Sequence, residues 1–226
     1  MNKGKKIIIF GDSAFAEIAY EYFTHDSSYD VAAFTVSRRY LKSNRFHKLP
    51  VVPFENIETI YNPKEYEMHV ALVYNTLNRT RAKFYEEAKA KGYKLANYIS
   101  SKAFVWPNVK MGDNVFIFED NTVQPFVTIG SNVVLWSGNH IGHHSKIGNH
   151  IFVSSHVVIS GFCEVGDYSF LGVNSTVVNN IKVGKDCLIG AGAIITQNTG
   201  DGKLFKGAST KPEEISIYQK LNIKPV

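Results

Sequence analysis

Between Val105 and Ile195 an aliphatic side chain returns at every sixth position, sixteen times without a slip of register. Eight of these positions are followed directly by glycine (112, 130, 142, 148, 166, 172, 184 and 190). The residue four places after the aliphatic is mostly small or β-branched, as at Val109, Val115, Val127, Val133, Ser145, Ser169, Ser175 and Ala193. A period of six suits neither a helix of 3.6 residues per turn nor a single flat strand of period two. It suits a solenoid, in which each repeat makes one short strand and one turn and buries its apolar residue only by stacking on its neighbours. The hexapeptide period predicts a left-handed parallel β-helix, three repeats closing a coil of about 18 residues.

The preceding hundred residues carry a different pattern. Lys5 to Gly11 reads as a buried parallel strand ending in a glycine turn. Asp12 and Ser13 can cap a helix over Ala14–Phe23, apolar at Phe15, Ile18, Ala19 and Tyr22. Further strands are predicted at 30–36, 51–52, 68–74 and 95–99, with helices at about 55–61 and 79–91. Strands alternating with helices predict a small doubly wound α/β domain over 1–100, before the β-helix over 101–200. Residues 201–226 break the register and read as a loop. Pro212-Glu213-Glu214 is expected to open a short helix that caps the solenoid.

In a doubly wound sheet ligands bind beyond the carboxyl ends of the strands. Three pieces are expected there: Gly11, Asp12, Ser13, Phe15 and Ala16 at the first strand-to-helix turn; Thr35 and Arg38 after the second strand; and Tyr74, Asn75, Asn78 and Arg81 after the fourth. A phosphate suits the N-terminus of that first helix. The turn is G-x-x-x-x-A rather than G-x-G-x-x-G, a poor dinucleotide fingerprint, so a nucleotide or nucleotide-sugar pocket is the favoured reading.

Composition narrows the picture. The net charge of +5 comes from basic residues spread along the chain, without the runs that mark a nucleic-acid tail. No segment has 18 consecutive apolar residues and the first residues lack a signal-peptide pattern, so neither a membrane nor secretion is expected. The two cysteines, Cys163 and Cys187, lie 24 residues apart. That spacing puts them on different faces of the coil, so no disulfide is expected and a cytoplasmic setting follows.

Five of the eight histidines fall within seventeen residues: His140, His143, His144, His150 and His156. None occupies a core position of the repeat, so all are expected to face outward. Surface histidines, a metal site and a general base remain open on this pattern. A neutral imidazole near pH 7 is suited to take a proton from an attacking amine or hydroxyl.

The run Leu135-Trp-Ser-Gly-Asn-His-Ile-Gly-His-His-Ser-Lys-Ile-Gly148, continued by Ser154-Ser-His-Val-Val-Ile-Ser-Gly161 behind this N-terminal domain, resembles the NeuD/PglD-type sugar acyltransferases. The resemblance implies a homotrimer with active sites between adjacent β-helices, using acetyl-CoA and no metal to acylate the amine of a nucleotide-linked amino sugar. O-acetylation of a sugar is the nearest alternative. It places the base on His143. Where the family often has an acidic residue next, this chain has His144, which makes the two a candidate catalytic pair. It assigns Gly161, Val173, Ala191 and Gly192 to the coenzyme groove, with Lys206 and Lys211 for its phosphates. It puts Phe152 where some relatives carry a histidine near the acyl group, and His156 is a candidate substrate contact. Ala14 and Phe15 stand where relatives often have Gly-His.

Overall fold

The computed structural model describes residues 4–225; residues 1–3 and 226, the outer ends of the two terminal segments, lie outside the described residues. Strands β1 (Lys5–Phe10), β2 (Tyr29–Val36), β3 (Arg45–Phe46), β4 (Leu49–Pro53) and β5 (Tyr66–Val70) form one sheet in the order β3-β4-β2-β1-β5. It is parallel except for the β3–β4 hairpin. Helices α1 (Ala14–His25) and α2 (Arg79–Ala90) connect it. The helix expected near 55–61 is a kinked 3-10 turn over Phe54–Thr59. The strand expected at 95–99 splits: Leu95 bridges to Met68, while Tyr98–Ile99 already joins the solenoid.

The solenoid has the predicted period and three flat faces. Its strands are two residues long and pair in parallel with those of the next coil, 18 residues on, as Thr122 and Val123 do with His140 and Ile141. The first face has six strands, the second five and the third seven. Fourteen of the sixteen periodic aliphatics, Ile117 to Ile195, are at most 4 % exposed, and Val105 and Met111 pack against their cluster at the open end. Burying each such side chain is worth about 1.5–3 kcal/mol, repeated along one column.

The edges between faces carry a second regularity. Every sixth residue from Asn114 to Asp186, and then Gly192, has positive φ, including His144 (60°), His150 (57°) and His156 (56°). Left-handed backbone turns the chain sharply at one residue, so three such residues make the corners of one triangular coil. Asn, Asp, His and Gly tolerate it best, and they hold most of the column.

The third face is aromatic where the second is polar. Its outward residues include Phe116, Phe118, Trp136, Phe152 and Phe170, and they share one core with Phe15, Phe23 and Tyr98. The corresponding second-face residues are Lys110, Thr128, Lys146, Glu164 and Lys182. The N-terminal domain therefore lies on the third face, with α1 against it. Helix α2 covers the edge between the second and third faces, where Arg79 pairs with Asp186.

The tail departs from expectation. Its helix α3 (Ile217–Leu221) starts at the Ser216 cap rather than at Pro212, and all residues 208–225 are exposed. None of the residues of α3 is buried. The last coil is closed instead by Leu204–Phe205, which pairs with Leu188–Ile189 and packs Phe205 on the core.

Candidate active site

His143 and His144 sit on the edge between the first and second faces, in the turn from His140–Ile141 to Lys146–Ile147. Both are exposed. The backbone N–H of His143 donates to Gln124 Oε1 at 2.9 Å. Its ring lies along Gly161, where a Cβ would come within 2.8 Å of the imidazole Cε1. Gly161, assigned to the coenzyme, thus serves His143 first by making room for its ring. The His143 Nδ1 is 3.1 Å from the His144 Nδ1. Two bare nitrogen lone pairs would repel at that distance, so one ring carries a proton on Nδ1. If His143 carries it, its Nε2 is the free base.

The histidine cluster does not converge. His150, expected on the surface, is 8 % exposed on the edge between the second and third faces. It stacks on Tyr168 at 4.7 Å and lies 2.9 Å, through Nδ1, from Asn132 Nδ2. An amide NH₂ only donates, so His150 accepts and is neutral. Burial, with the Arg81 charge, pushes it down to about 4. His156 lies on the third edge, between the third and first faces, its ring over Gly138. Among the described residues no three His, Cys, Asp or Glu side chains come together as a metal-binding group.

The residues assigned to the coenzyme also divide. Gly161 shares the edge of His143. Val173, Ala191 and Gly192 lie on the edge of His156, where Gly192 has positive φ and nothing within 4 Å of the place a Cβ would take. Lys206 and Lys211 are exposed beyond them.

In the N-terminal domain the expected ligand residues separate by burial. Asp12, Ser13, Arg38, Tyr74 and Asn75 reach the surface. Ser13 makes no side-chain cap to α1, which leaves the amides of its first turn free. Gly11 is required there, with φ at 128° and Ala71 O 3.0 Å from a would-be Cβ. The others correct the expectation. Phe15 and Ala16 pack into the shared core. Thr35 is buried and donates to Val52 O. Asn78 is buried and donates to Tyr168 O and Ser169 O. Arg81 is fully buried, its guanidinium donating to Asn132 Oδ1, Asn132 O, Ile151 O and Leu72 O. Among the described residues it has no carboxylate partner, and burial pushes Arg81 down to about 9. Phe15, Ala16, Asn78 and Arg81 thus join the domains, and Thr35 ties two strands of the N-terminal sheet.

Two concave regions were not foreseen. A cleft of about 830 Å³ opens between Arg38, Arg39, Phe54, Glu55, Lys83 and Lys91. A smaller, mostly apolar pocket of about 210 Å³ lies where the domains meet, lined by Val73, Tyr74, Trp136, Phe152, Ser154, Ser155 and Val173. The 18-residue spacing of Trp136 with Ser154, and of Ser155 with Val173, is the signal that could have found the second.

A family model described as bacterial transferase hexapeptide (six repeats) matches residues 162–197. No curated protein matches the chain in sequence. Solved structures do match in shape. The acetyltransferase domain of PglB from Neisseria gonorrhoeae, in complex with acetyl coenzyme A, has a TM-score of 0.81 at 22 % identity, over 93 % of this chain and all of that one. PerB from Caulobacter crescentus, in complex with CoA and GDP-perosamine, has 0.78 at 24 %, over 89 % and 93 %. WeeI from Acinetobacter baumannii has 0.66 at 16 %, over 89 % and 96 %. The chain has the fold of these proteins. The likeness spans both domains, so the union of this α/β domain with this solenoid is shared, and not the repeat alone.

Proposed function

We propose that the chain is an acetyl-CoA-dependent N-acetyltransferase acting on the amino group of a nucleotide-linked amino-deoxy sugar, in surface-polysaccharide or glycan biosynthesis in the cytoplasm. The observation that carries this reading is His143, seated against Gly161 with its Nδ1 engaged, in a fold whose solved examples hold CoA and a nucleotide amino sugar. His143 Nε2 takes the proton of the attacking amine and returns it to the departing thiolate. Bound acetyl-CoA supplies an already activated thioester, so no covalent enzyme intermediate is required. The residues present suit the coenzyme: Ala191 and Gly192 offer open backbone for close approach, and Lys206 and Lys211 are exposed cations for its phosphates. Asp12, Ser13, Tyr74 and Asn75, at the free N-terminus of α1 and beside the small pocket, are assigned to the sugar nucleotide.

The active unit in this reading is a homotrimer. In a triangular prism the edge of His143 lies opposite the third face, where the N-terminal domain sits. One chain therefore cannot bring its own base to its own domain. A neighbouring copy can, by laying the Val173–Gly192 edge against His143.

Purified protein is mixed with acetyl-CoA and UDP-, dTDP- and GDP-linked amino sugars, and free thiol release is followed with a chromogenic disulfide. Transfer to one of these, lost at least a hundredfold in His143→Ala with the trimer intact, is the expected result. Wild-type rates from that variant would sink the base. A product acetylated on oxygen would sink the amine. Mixing His143→Ala chains with Tyr74→Ala, Asn75→Ala chains restores about a quarter of the activity in a shared site, and none if each chain works alone.

A further inference from the structure

His144 is one ring in a stack of three. Phe126, His144 and Phe162 follow one another at 18-residue intervals up the edge between the first and second faces. Phe126 stacks on His144 at 4.6 Å and 29°, and His144 on Phe162 at 4.8 Å and 17°. Phe162 also meets His143 edge-on, at 5.0 Å and 87°. Both phenylalanines have left-handed backbone (φ 66° and 57°), a conformation costly for a bulky side chain, and both stay more than half exposed. Burial within the chain does not explain them. What they do is grip the two faces of the His144 ring, leaving it only in-plane contacts, one of which is His143.

We propose that the stacked His144 is the positioning residue for His143, and that it does so as a neutral acceptor. This rests on the acyl-transfer reading above. His143 is in the tautomer with hydrogen on Nδ1 and donates it to His144 Nδ1; His144 keeps its own hydrogen on Nε2. The tautomer leaves the Nε2 lone pair of His143 free for the amine proton. When that proton arrives, the His143 imidazolium still donates through Nδ1, and His144 still accepts. When it passes to the leaving thiolate, the pair returns to its starting state with no net proton change. A carboxylate would hold the ring through charge. Here the ring is held by a neutral hydrogen bond and by the aromatic clamp that fixes the acceptor's plane.

The turn geometry supplies clean variants. Glycine and asparagine both accept φ near 60°, so neither strains the backbone. In His144→Asn the side-chain Oδ1 falls near the place of the imidazole Nδ1 and keeps an acceptor. In His144→Gly acceptor and stack both go. Phe126→Gly removes a ring that touches His144 but not His143.

Two measurements test the proposal. Long-range ¹H–¹⁵N NMR on the wild-type assembly reads ring tautomers without any substrate. His143 protonated on Nδ1 and His144 on Nε2 is the expected result; His143 protonated on Nε2 overturns the proposal. Steady-state kinetics then separate kcat from KM. His144→Gly is expected to lose about tenfold to a hundredfold in kcat with KM for both substrates little changed, because orientation and not binding is lost. His144→Asn should recover most of that loss, and Phe126→Gly should fall between. A kcat unchanged in His144→Gly, or an equal loss in His144→Asn and His144→Gly, overturns the positioning role. If the wild type transfers no acyl group at all, the proposed function fails, and the tautomers still judge the pair.

Discussion

Acid should weaken the joint between the domains before it touches the carboxylates. His69 is fully buried in that joint, donating from Nδ1 to Ala96 O at 2.9 Å against Phe23 and Phe116. Burial, and secondarily the Arg81 charge, pushes it down to about 4. His150 is held at about 4 by the same two causes. Both bind a proton near pH 6.5 in the unfolded chain and only near 4 in the folded one. Between those limits the unfolded state carries more protons, so stability falls as pH falls. Each group contributes at most about 1.4 kcal/mol per pH unit, and the two together about 3 kcal/mol between pH 6.5 and 5. That is a large part of a typical total of about 5–15 kcal/mol. Hydrogen bonds hold Asp26, Asp113 and Glu119 below the usual carboxylate range despite their burial, so their effect begins at lower pH and does not enter this window. The perturbation is His150→Asn. Asparagine fits φ 57° and keeps an acceptor for Asn132 Nδ2 while removing the titration. Urea unfolding at fixed protein concentration, followed by tryptophan fluorescence at half-unit steps from pH 7 to 5, gives the slope. Averaged from pH 7 to 5 it should halve, from about 2 to about 1 kcal/mol per unit. An unchanged slope in the variant would refute the neutral, accepting His150.

Gly142→Ala puts a Cβ 2.5 Å from Gly161 N and Ser160 C, both backbone that cannot swing aside. It should cost at least about 3 kcal/mol and disturb the seat of His143, read as a lowered Tm. Gly192→Ala meets no atom and pays only for its φ of 69°, about 1 kcal/mol. Cys163 and Cys187 are free and buried, and burial pushes the Cys163 thiol up. A thiol reagent should therefore label the native protein slowly and the urea-unfolded chain at both cysteines. Rapid native labelling of either would mean that the solenoid opens locally there.

The solenoid was legible because its signal is long and redundant: a periodic aliphatic needs no knowledge of what surrounds the coil. The period also told which residues leave the core. It did not tell which of those are then covered by something else. His150 faces away from the solenoid core as expected, yet it is buried, because α2 lies over its edge. Arg81 follows a strand end, which by itself suggests a ligand residue. Its spacing to Phe84, Tyr85 and Ala88 puts it on the apolar side of α2, and that is the sign that it turns inward. Asn114, Asn132 and His150, polar at 18-residue intervals, likewise mark an edge with a partner. The 3-10 turn at Phe54–Thr59 escaped notice because Phe54 and Ile57 fit either a short helix or a tighter turn. The small pocket could not be read locally, since Tyr74 and Trp136 are 62 positions apart in the chain.

The left-handed edge column bears on how such a protein changes. Asn, Asp, His and Tyr differ from one another by a single base at the first codon position. Gly and Phe are each one further base away from a member of that set, Asp and Tyr. Every residue found in the column belongs to this small connected alphabet, from Asn114 and Asp120 through Phe126, Gly138 and His144 to Tyr168. Point mutation can thus walk an edge position from acidic to basic to aromatic while staying within a set of residues that this chain already accommodates at its turns. The corner that turns the chain is also a place where a lineage can try new surface chemistry, one nucleotide at a time, without first rebuilding the coil beneath it.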